Sequence, residues 1–321
     1  MNAFAYVTPT SPESALELVR RRGRFLAGGT DLLGEIKESL ASPELLVNIK
    51  TLPRGTEIRQ ERDRWLIGAS VTLATLAAHP EVSRQFPALA QAAAEVGSPQ
   101  IRHVATVGGN LAQHSRCWYY RHRDVECRKK GGKECFAREG ESKFHSLFTG
   151  CTCISPLTSN LAVAFAALDA RVAVARGRRT ETLTVADLYS TAWKSPGAHN
   201  SLREDDLILH VELRAAPVPR SAYLQVSERS DFDWALVSCA ASAQVNDRIL
   251  RGVRIALGAV APIPWQSDEA NASLEGKLAT AETAERAADL LLREARPFGA
   301  NAYKIPIARA LVRRALLRLA T

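Results

Sequence analysis

No run of about 18 apolar residues occurs in this chain, so no membrane-spanning helix is expected. The first residues, Met-Asn-Ala-Phe-Ala-Tyr-Val-Thr-Pro, carry neither a basic n-region nor an apolar h-region, so no export signal of the chain's own is expected. Cysteine is sparse, six in 321 residues, too few for a disulfide scaffold. There is no internal repeat and no low-complexity tract. No Ser-His-Asp arrangement, metalloprotease motif or carboxylate pair is legible, so the chain is not expected to perform substrate chemistry alone. Arginines are scattered and accompany no recognition motif, which argues against nucleic acid as a partner.

What is present is a chain long enough for two or three domains with ample core. Its hydrophobic fraction of 46% and charged fraction of 24% are those of an ordinary globular protein. The net charge of +8, from 42 Lys+Arg against 34 Asp+Glu, serves solubility or docking to an acidic partner subunit.

The apolar pattern predicts helices over 13–22, 32–40 (opened by Thr30 or Asp31), 73–78 and 88–96, and strands at 25–27, 45–49 and from 65 onward. A helix capped by Ser159 is predicted over 159–168, then a strand at 171–175. Beyond a linker at 217–220, strands at 223–226, 235–243 and 253–257 precede helices near 280–295 and 306–320. Residues 115–156 are rich in Arg, Lys, Gly and Glu and have little periodicity. A segment of this length without structure of its own is expected to be functional.

Two glycine loops stand out. Ala27-Gly28-Gly29-Thr30-Asp31 lies between a predicted strand and helix. Its backbone N–H groups and the Thr30 hydroxyl suit a pyrophosphate. It is neither a Rossmann fingerprint, since the third glycine is absent and no βαβ unit is expected around it, nor a Walker loop, since no Gly-Lys-Ser/Thr follows. Thr106-Val-Gly108-Gly109-Asn110 repeats the idea with a different polar tail, and the two loops together can clamp one pyrophosphate.

Five of the six cysteines fall between 117 and 153: Cys117, Cys127, Cys135, Cys151 and Cys153. Structural zinc sites present closely spaced Cys-x2–4-Cys knuckles. Here Cys117, Cys127, Cys135 and Cys153 are separated by 10, 8 and 18 residues, which suits thiolates wrapped round a larger object such as a [4Fe–4S] cubane. Zinc, and unligated or disulfide-bonded cysteines, remain the alternatives. Cys127-Arg-Lys-Lys-Gly-Gly sets three cations beside one sulfur, either to offset thiolate charge or as a solvated basic loop. Trp118, Tyr119 and Tyr120 either pack on a flavin or line a route between centres, or are core aromatics. His103, His114, His122 and His145 read as surface or structural, and Cys239 as a small buried hydrophobe.

The segments Ala27-Gly-Gly-Thr-Asp-Leu32 and Thr106-Val-Gly-Gly-Asn110 resemble the two FAD-pyrophosphate loops of the flavoprotein subunit of the xanthine dehydrogenase and molybdenum hydroxylase family. The likeness spans nearly the whole chain and includes Pro262-Ile-Pro-Trp265 after Ala256-Leu-Gly-Ala-Val-Ala261. It implies an α+β fold: a two-part FAD-binding domain (1–56 and 57–215, with an iron–sulfur insertion at about 115–156) and a small C-terminal α/β domain (216–321).

Two branches of that family carry an extra [4Fe–4S] cluster, the 4-hydroxybenzoyl-CoA reductase β subunit and the FAD subunit of a periplasmic aromatic aldehyde oxidoreductase. In the first, the last cluster cysteine falls where this chain reads Ser142-Lys-Phe-His145; in the second, it falls where this chain reads Cys153-Ile154. The resemblance therefore implies the aldehyde branch, with Cys117, Cys127, Cys135 and Cys153 as ligands and Cys151 spare. It implies FAD contacts from Ala27, Gly28, Gly29, Thr30, Asp31, Leu32, Thr106, Gly108, Gly109, Asn110, Ser159 and Asn160. Asn160 stands where the family commonly has an Asp, and so carries no charge.

The implied partners are a large molybdenum-pterin subunit and a small [2Fe–2S] subunit, in a heterotrimer or its dimer. The implied reaction is oxidation of an aldehyde to a carboxylic acid on the large subunit, with electrons passed to FAD and an external acceptor. A 4-hydroxybenzoyl-CoA reductase-like β subunit, or a stand-alone FAD oxidoreductase with a zinc-stapled loop, are the competing readings. The expected location is the cytoplasm, or the periplasm on a partner's export signal.

Overall fold

Short apolar strands and capped helices build the N-terminal unit: β1 (Ala5–Val7), α1 (Pro12–Val19), β2 (Gly23–Leu26), α2 (Leu32–Lys37) and β3 (Leu45–Asn48). Ser11 opens α1, its hydroxyl accepting from Ser14 N at 3.2 Å with Pro12 in the first turn. β3 lies between β1 and β2 and runs parallel to both. Its Leu46, Val47 and Asn48 are all buried, as a strand covered on both faces requires. This corrects the expectation that no βαβ unit surrounds 27–31, because β2, α2 and β3 form one. Strands of four residues are too short to reveal parallel pairing by period. Residues 27–31 leave the C-terminal end of β2, the end at which open parallel sheets bind ligands.

The second unit contributes β4 (Ile58–Glu61), β5 (Arg64–Gly68), α3 (Leu73–Ala78), α4 (Pro80–Gln85), α5 (Pro87–Ala94), α6 (Pro99–Val104), α7 (Val107–Ala112), α8 (Trp118–Arg121), α9 (Asn160–Ala167), β6 (Arg171–Arg176), β7 (Arg179–Thr184), α10 (Val185–Lys194) and β8 (Leu207–Arg214). Its sheet has the order β4-β5-β8-β6-β7, each neighbour antiparallel. The second glycine segment is not a loop: Thr106 caps α7, its hydroxyl accepting from Gly109 N at 3.1 Å, so 107–110 form the first turn of a helix.

Every residue of α9 is buried, and Ser159 caps it as expected, its Oγ accepting from Ala162 N at 3.0 Å. The same hydroxyl donates to Asn110 Oδ1 at 2.6 Å. Ser159→Ala deletes both bonds and is expected to destabilise the chain by about 2 kcal/mol, read as a lower urea midpoint at unchanged m-value.

The C-terminal part is a meander, β9 (Arg220–Val226), β10 (Val237–Asn246) and β11 (Ile249–Gly258), followed by α11 (Asp268–Ala272), α12 (Ala281–Leu292) and α13 (Lys304–Leu319). β10 is buried without alternation from Val237 to Ala243 because both its faces are covered. Ala240 joins the core containing α9, whereas Val237, Cys239 and Ala241 join the core beneath α12 and α13. Cys239 is thus the buried hydrophobe expected.

Residues 113–159 hold only α8 and a 3₁₀ turn at Arg128–Lys130. This segment is tied at its distal end to the C-terminal part: Leu147 N and Phe148 N donate to Val260 O (2.7 and 3.0 Å), and Leu157 N donates to Ala261 O (2.7 Å).

The computed structural model describes residues 2–215, 217 and 219–321. The expected boundary at 215/216 and the linker at 217–220 involve Ala216 and Val218, which lie outside the described residues. No described helix is long and apolar enough to cross a membrane.

Candidate functional site

The turn after β2 and the start of α7 face each other across a cleft of about 860 Å³. Ala27, Gly28, Gly29, Thr30, Asp31 and Leu32 line one side, and Thr106, Gly109 and Asn110 the other. Their approach is backbone on backbone. A Cβ on Gly28 would lie 2.0 Å from Val104 O, and one on Gly109 would lie 3.0 Å from Thr106 Oγ1 and 4.0 Å from Ala27 Cβ. Gly29 has φ +75°, the left-handed region open to glycine.

The N–H groups of Gly28, Gly29 and Thr30 make no hydrogen bond among the described residues, so the turn that lines the cleft carries three donors without a protein acceptor. Asn110 Oδ1 is occupied by Ser159 Oγ and Leu161 N, whereas its Nδ2 donates to no described group. A pyrophosphate fits this donor set, and the cleft's volume of about 860 Å³ has room for a dinucleotide.

Some predicted residues take other roles. Gly108 is buried away from the cleft, where a Cβ would meet Ala69 Cβ at 2.9 Å, so it permits helix packing rather than ligand contact. Ser159 acts through Asn110. Asn160 donates from Nδ2 to Gln225 Oε1 at 3.0 Å. Both Ser159 and Asn160 line a neighbouring cavity of about 250 Å³ that shares Arg116, Asp233 and Trp234 with the cleft. Asp31 lines the cleft, but its carboxylate is engaged by Arg121 (2.6 Å), Arg116 (3.0 Å) and the His114 amide (2.7 Å). It is the N-cap of α2 by position, yet its side chain makes no cap bond.

Asp31 belongs to a half-buried network, centred on the buried Glu35, that the sequence does not reveal. His114 Nδ1 and Tyr120 Oη each lie 2.9 Å from Glu35 Oε1, and His114 stacks on His199 with ring centroids 4.0 Å apart. Burial opposes ionisation of Glu35, but the hydrogen bond and charge of His114, with Arg121 and Tyr120, outweigh it and hold the carboxyl below its usual range. Burial, reinforced by the charges of His114, Lys129 and Arg121, pushes His199 down, so its ring is neutral. The wall formed by 197–206, and Trp234 with Arg116 over its ring at 4.8 Å, also carry no motif in the sequence.

Beside this network, Cys117, Cys127, Cys135 and Cys153 line one small cavity, with Lys129 and His145 in its wall. Burial pushes the Cys117 thiol up to about 11. The Cys135 and Cys153 thiols lie on the same small cavity, and their interaction holds Cys135 down, to about 6, and pushes Cys153 up. Cys151 does not line this cavity: its sulfur lies 3.7 Å from Cys153 O. All six cysteines are free thiols. No three His, Cys, Asp or Glu among the described residues converge tightly enough to hold a metal ion. Lys129 Nζ donates to Pro196 O (3.2 Å) and Ala198 O (2.8 Å), joining the cysteine segment to the cleft wall.

Residues 2–215 match the family model of the FAD binding domain in molybdopterin dehydrogenase, and residues 222–319 that of the CO dehydrogenase flavoprotein C-terminal domain. The aldehyde oxidoreductase FAD-binding subunit PaoB of Escherichia coli strain K12 is 33% identical over 314 residues, 96% of each chain. The carbon monoxide dehydrogenase medium chain of Hydrogenophaga pseudoflava is 28% identical over 98% of this chain and 96% of that one. A solved structure of carbon monoxide dehydrogenase from the same organism superposes with a TM-score of 0.77 at 25% identity, covering 98% of this chain and 96% of that chain.

Proposed function

The chain belongs to the FAD-binding medium subunits of the xanthine dehydrogenase and CO dehydrogenase family, and from that premise we propose that it is the flavin and iron–sulfur subunit of an aldehyde-oxidising molybdenum enzyme. The observation that carries the finer reading is the single cavity lined by Cys117, Cys127, Cys135 and Cys153 beside the cleft. One tetrahedral zinc draws its sulfurs to about 3.8 Å from one another, whereas a cubane keeps four thiolates at separated corners. Four soft sulfurs round one cavity, carried 10, 8 and 18 residues apart on an irregular segment, support the larger group. The likeness to an aldehyde oxidoreductase subunit, and the inclusion of Cys153 where 142–145 offers no cysteine, favour the aldehyde branch over a thioester reductase.

In this reading the N–H groups of Gly28, Gly29 and Thr30, with Asn110 Nδ2, bind the FAD pyrophosphate. Asp31, held by Arg116 and Arg121, keeps the first turn of α2 in register with the segment leading to Cys117. Ser159 and Gly108 fix the opposing wall. When bound, FAD and the cluster supply redox capacity between a small [2Fe–2S] subunit, a large molybdenum-pterin subunit and an external acceptor. The divisions 1–56, 57–215 and 216–321 are part of the same proposal.

The test is iron and acid-labile sulfide per FAD on the purified chain. About four irons per FAD are expected. FAD with zinc, or with no metal, would replace this reading by a simpler flavoprotein.

A further inference from the structure

We propose that His145 sets the reduction potential of the cluster held by the four cysteines, by donating a hydrogen bond from Nε2 to the Cys117 sulfur. The inference rests on the iron–sulfur reading above. Nε2 lies 3.2 Å from Cys117 Sγ, within range of a hydrogen bond to sulfur. Among the described residues it is the only side-chain nitrogen so placed against any of the four sulfurs.

The ring is held in place. His145 is only 2% exposed. Its amide donates to Ser142 O at 2.9 Å, and its carbonyl accepts from Asn301 Nδ2 at 3.1 Å. The Trp118 and Tyr119 rings lie against it at centroid distances of 6.3 Å.

Proton placement follows from the acceptor. A ligating thiolate only accepts, so the imidazole hydrogen sits on Nε2 and Nδ1 is left with a bare lone pair. Nδ1 is buried with no partner, one of three such side-chain atoms among the described residues. A buried acceptor without a partner is a structural penalty, and stability alone gives no reason to place one here. An N–H···S bond draws charge from the thiolate. It therefore stabilises the reduced, more negative cluster over the oxidised one and raises its potential. His145 is a positioning residue, since it touches the ligand rather than the reacting atoms. It also lines the cavity that holds Asn160 and Trp234, so it forms part of the partition between that chamber and the sulfurs.

The experiment is an equilibrium redox titration of the whole complex, followed by the electron paramagnetic resonance signal of the reduced cluster, with iron per flavin measured on the same samples. His145→Leu is expected to keep its iron and to titrate at a more negative potential. His145→Gln, which retains a donor of similar reach, is expected to return toward the wild-type value. A fully iron-loaded His145→Leu complex with an unmoved potential overturns the proposal. Should His145→Leu lose its cluster, selective ¹⁵N-histidine labelling of the wild type decides. Nitrogen coupling to the reduced cluster supports the bond, and its absence overturns it. A wild-type complex without iron instead refutes the cluster reading, and this is seen before any variant is made.

Discussion

Gly28→Ala is expected to give a chain that folds yet purifies with little flavin. The added methyl would sit 2.0 Å from Val104 O, 2.7 Å from Val104 C and 3.0 Å from Ala105 Cα. All three are backbone atoms of the last residue of α6 and the one after it, and none can swing aside as a side-chain tip would. The turn must therefore lift off the end of α6, and the N–H groups of Gly28, Gly29 and Thr30 move away from Asn110. Splitting an anion cradle in this way is expected to weaken FAD binding about 100-fold, close to 2.7 kcal/mol. The flavin-to-protein ratio after purification and a fluorescence titration of the apoprotein both read the effect. Gly34→Ala is the control, because a Cβ there meets nothing within 4 Å and flavin retention should be unchanged. Equal flavin in Gly28→Ala and wild type would rule out the clamped-pyrophosphate geometry.

Cys153→Ser is expected to abolish most of the iron content, whereas Cys151→Ser leaves it intact. The two residues are separated only by Thr152, yet their surroundings differ. Cys153 is buried at 6% exposure on the cavity shared by the other three cysteines. The Cys151 sulfur is turned toward Cys153 O and Thr149 Oγ1 instead. Neither lines the flavin cleft, so both variants are expected to keep their FAD. Iron loss in the Cys151 variant alone would exchange the two assignments.

The parts of this site that were legible from sequence are those in which residue type is forced by backbone geometry. Gly28, Gly29 and Gly109 announce themselves because a side chain would not fit or a left-handed φ is needed. Ser159 announces itself as a cap before an apolar run. What was hidden depends on long-range pairing. The βαβ unit rests on parallel strands of four residues, too short for a period to show. The second glycine segment reads as a loop in the sequence because Gly-Gly is a poor helix former. Its helical turn is held instead by the Thr106 cap and by packing of Gly108 on Ala69. The Asp31–Arg121 and Glu35–His114 pairs join residues 90 and 79 positions apart, and no local pattern marks them. Asp31 lines the cleft, as its place in the motif leads one to expect, but the two guanidinium groups and the backbone amide that take up its carboxylate carry no sequence signal.

The two anchor points at Val260 and Ala261 bear on how such a chain can change over evolutionary time. Leu147 and Phe148 bond to one carbonyl and Leu157 to the next, while Ser146 N bonds Ile154 O (2.9 Å) and narrows the neck further. The excursion that carries Cys151 and Cys153 thus leaves and rejoins the scaffold at adjacent rungs. Closing a loop twice as long costs only about 0.6 kcal/mol more. Insertion is therefore tolerated more readily beside the exposed Thr152 than at the fully buried Ile154 or at the neck. Length is thus free to vary at the tip of the excursion, while its neck is pinned by the two cores that Leu147, Phe148 and Leu157 enter.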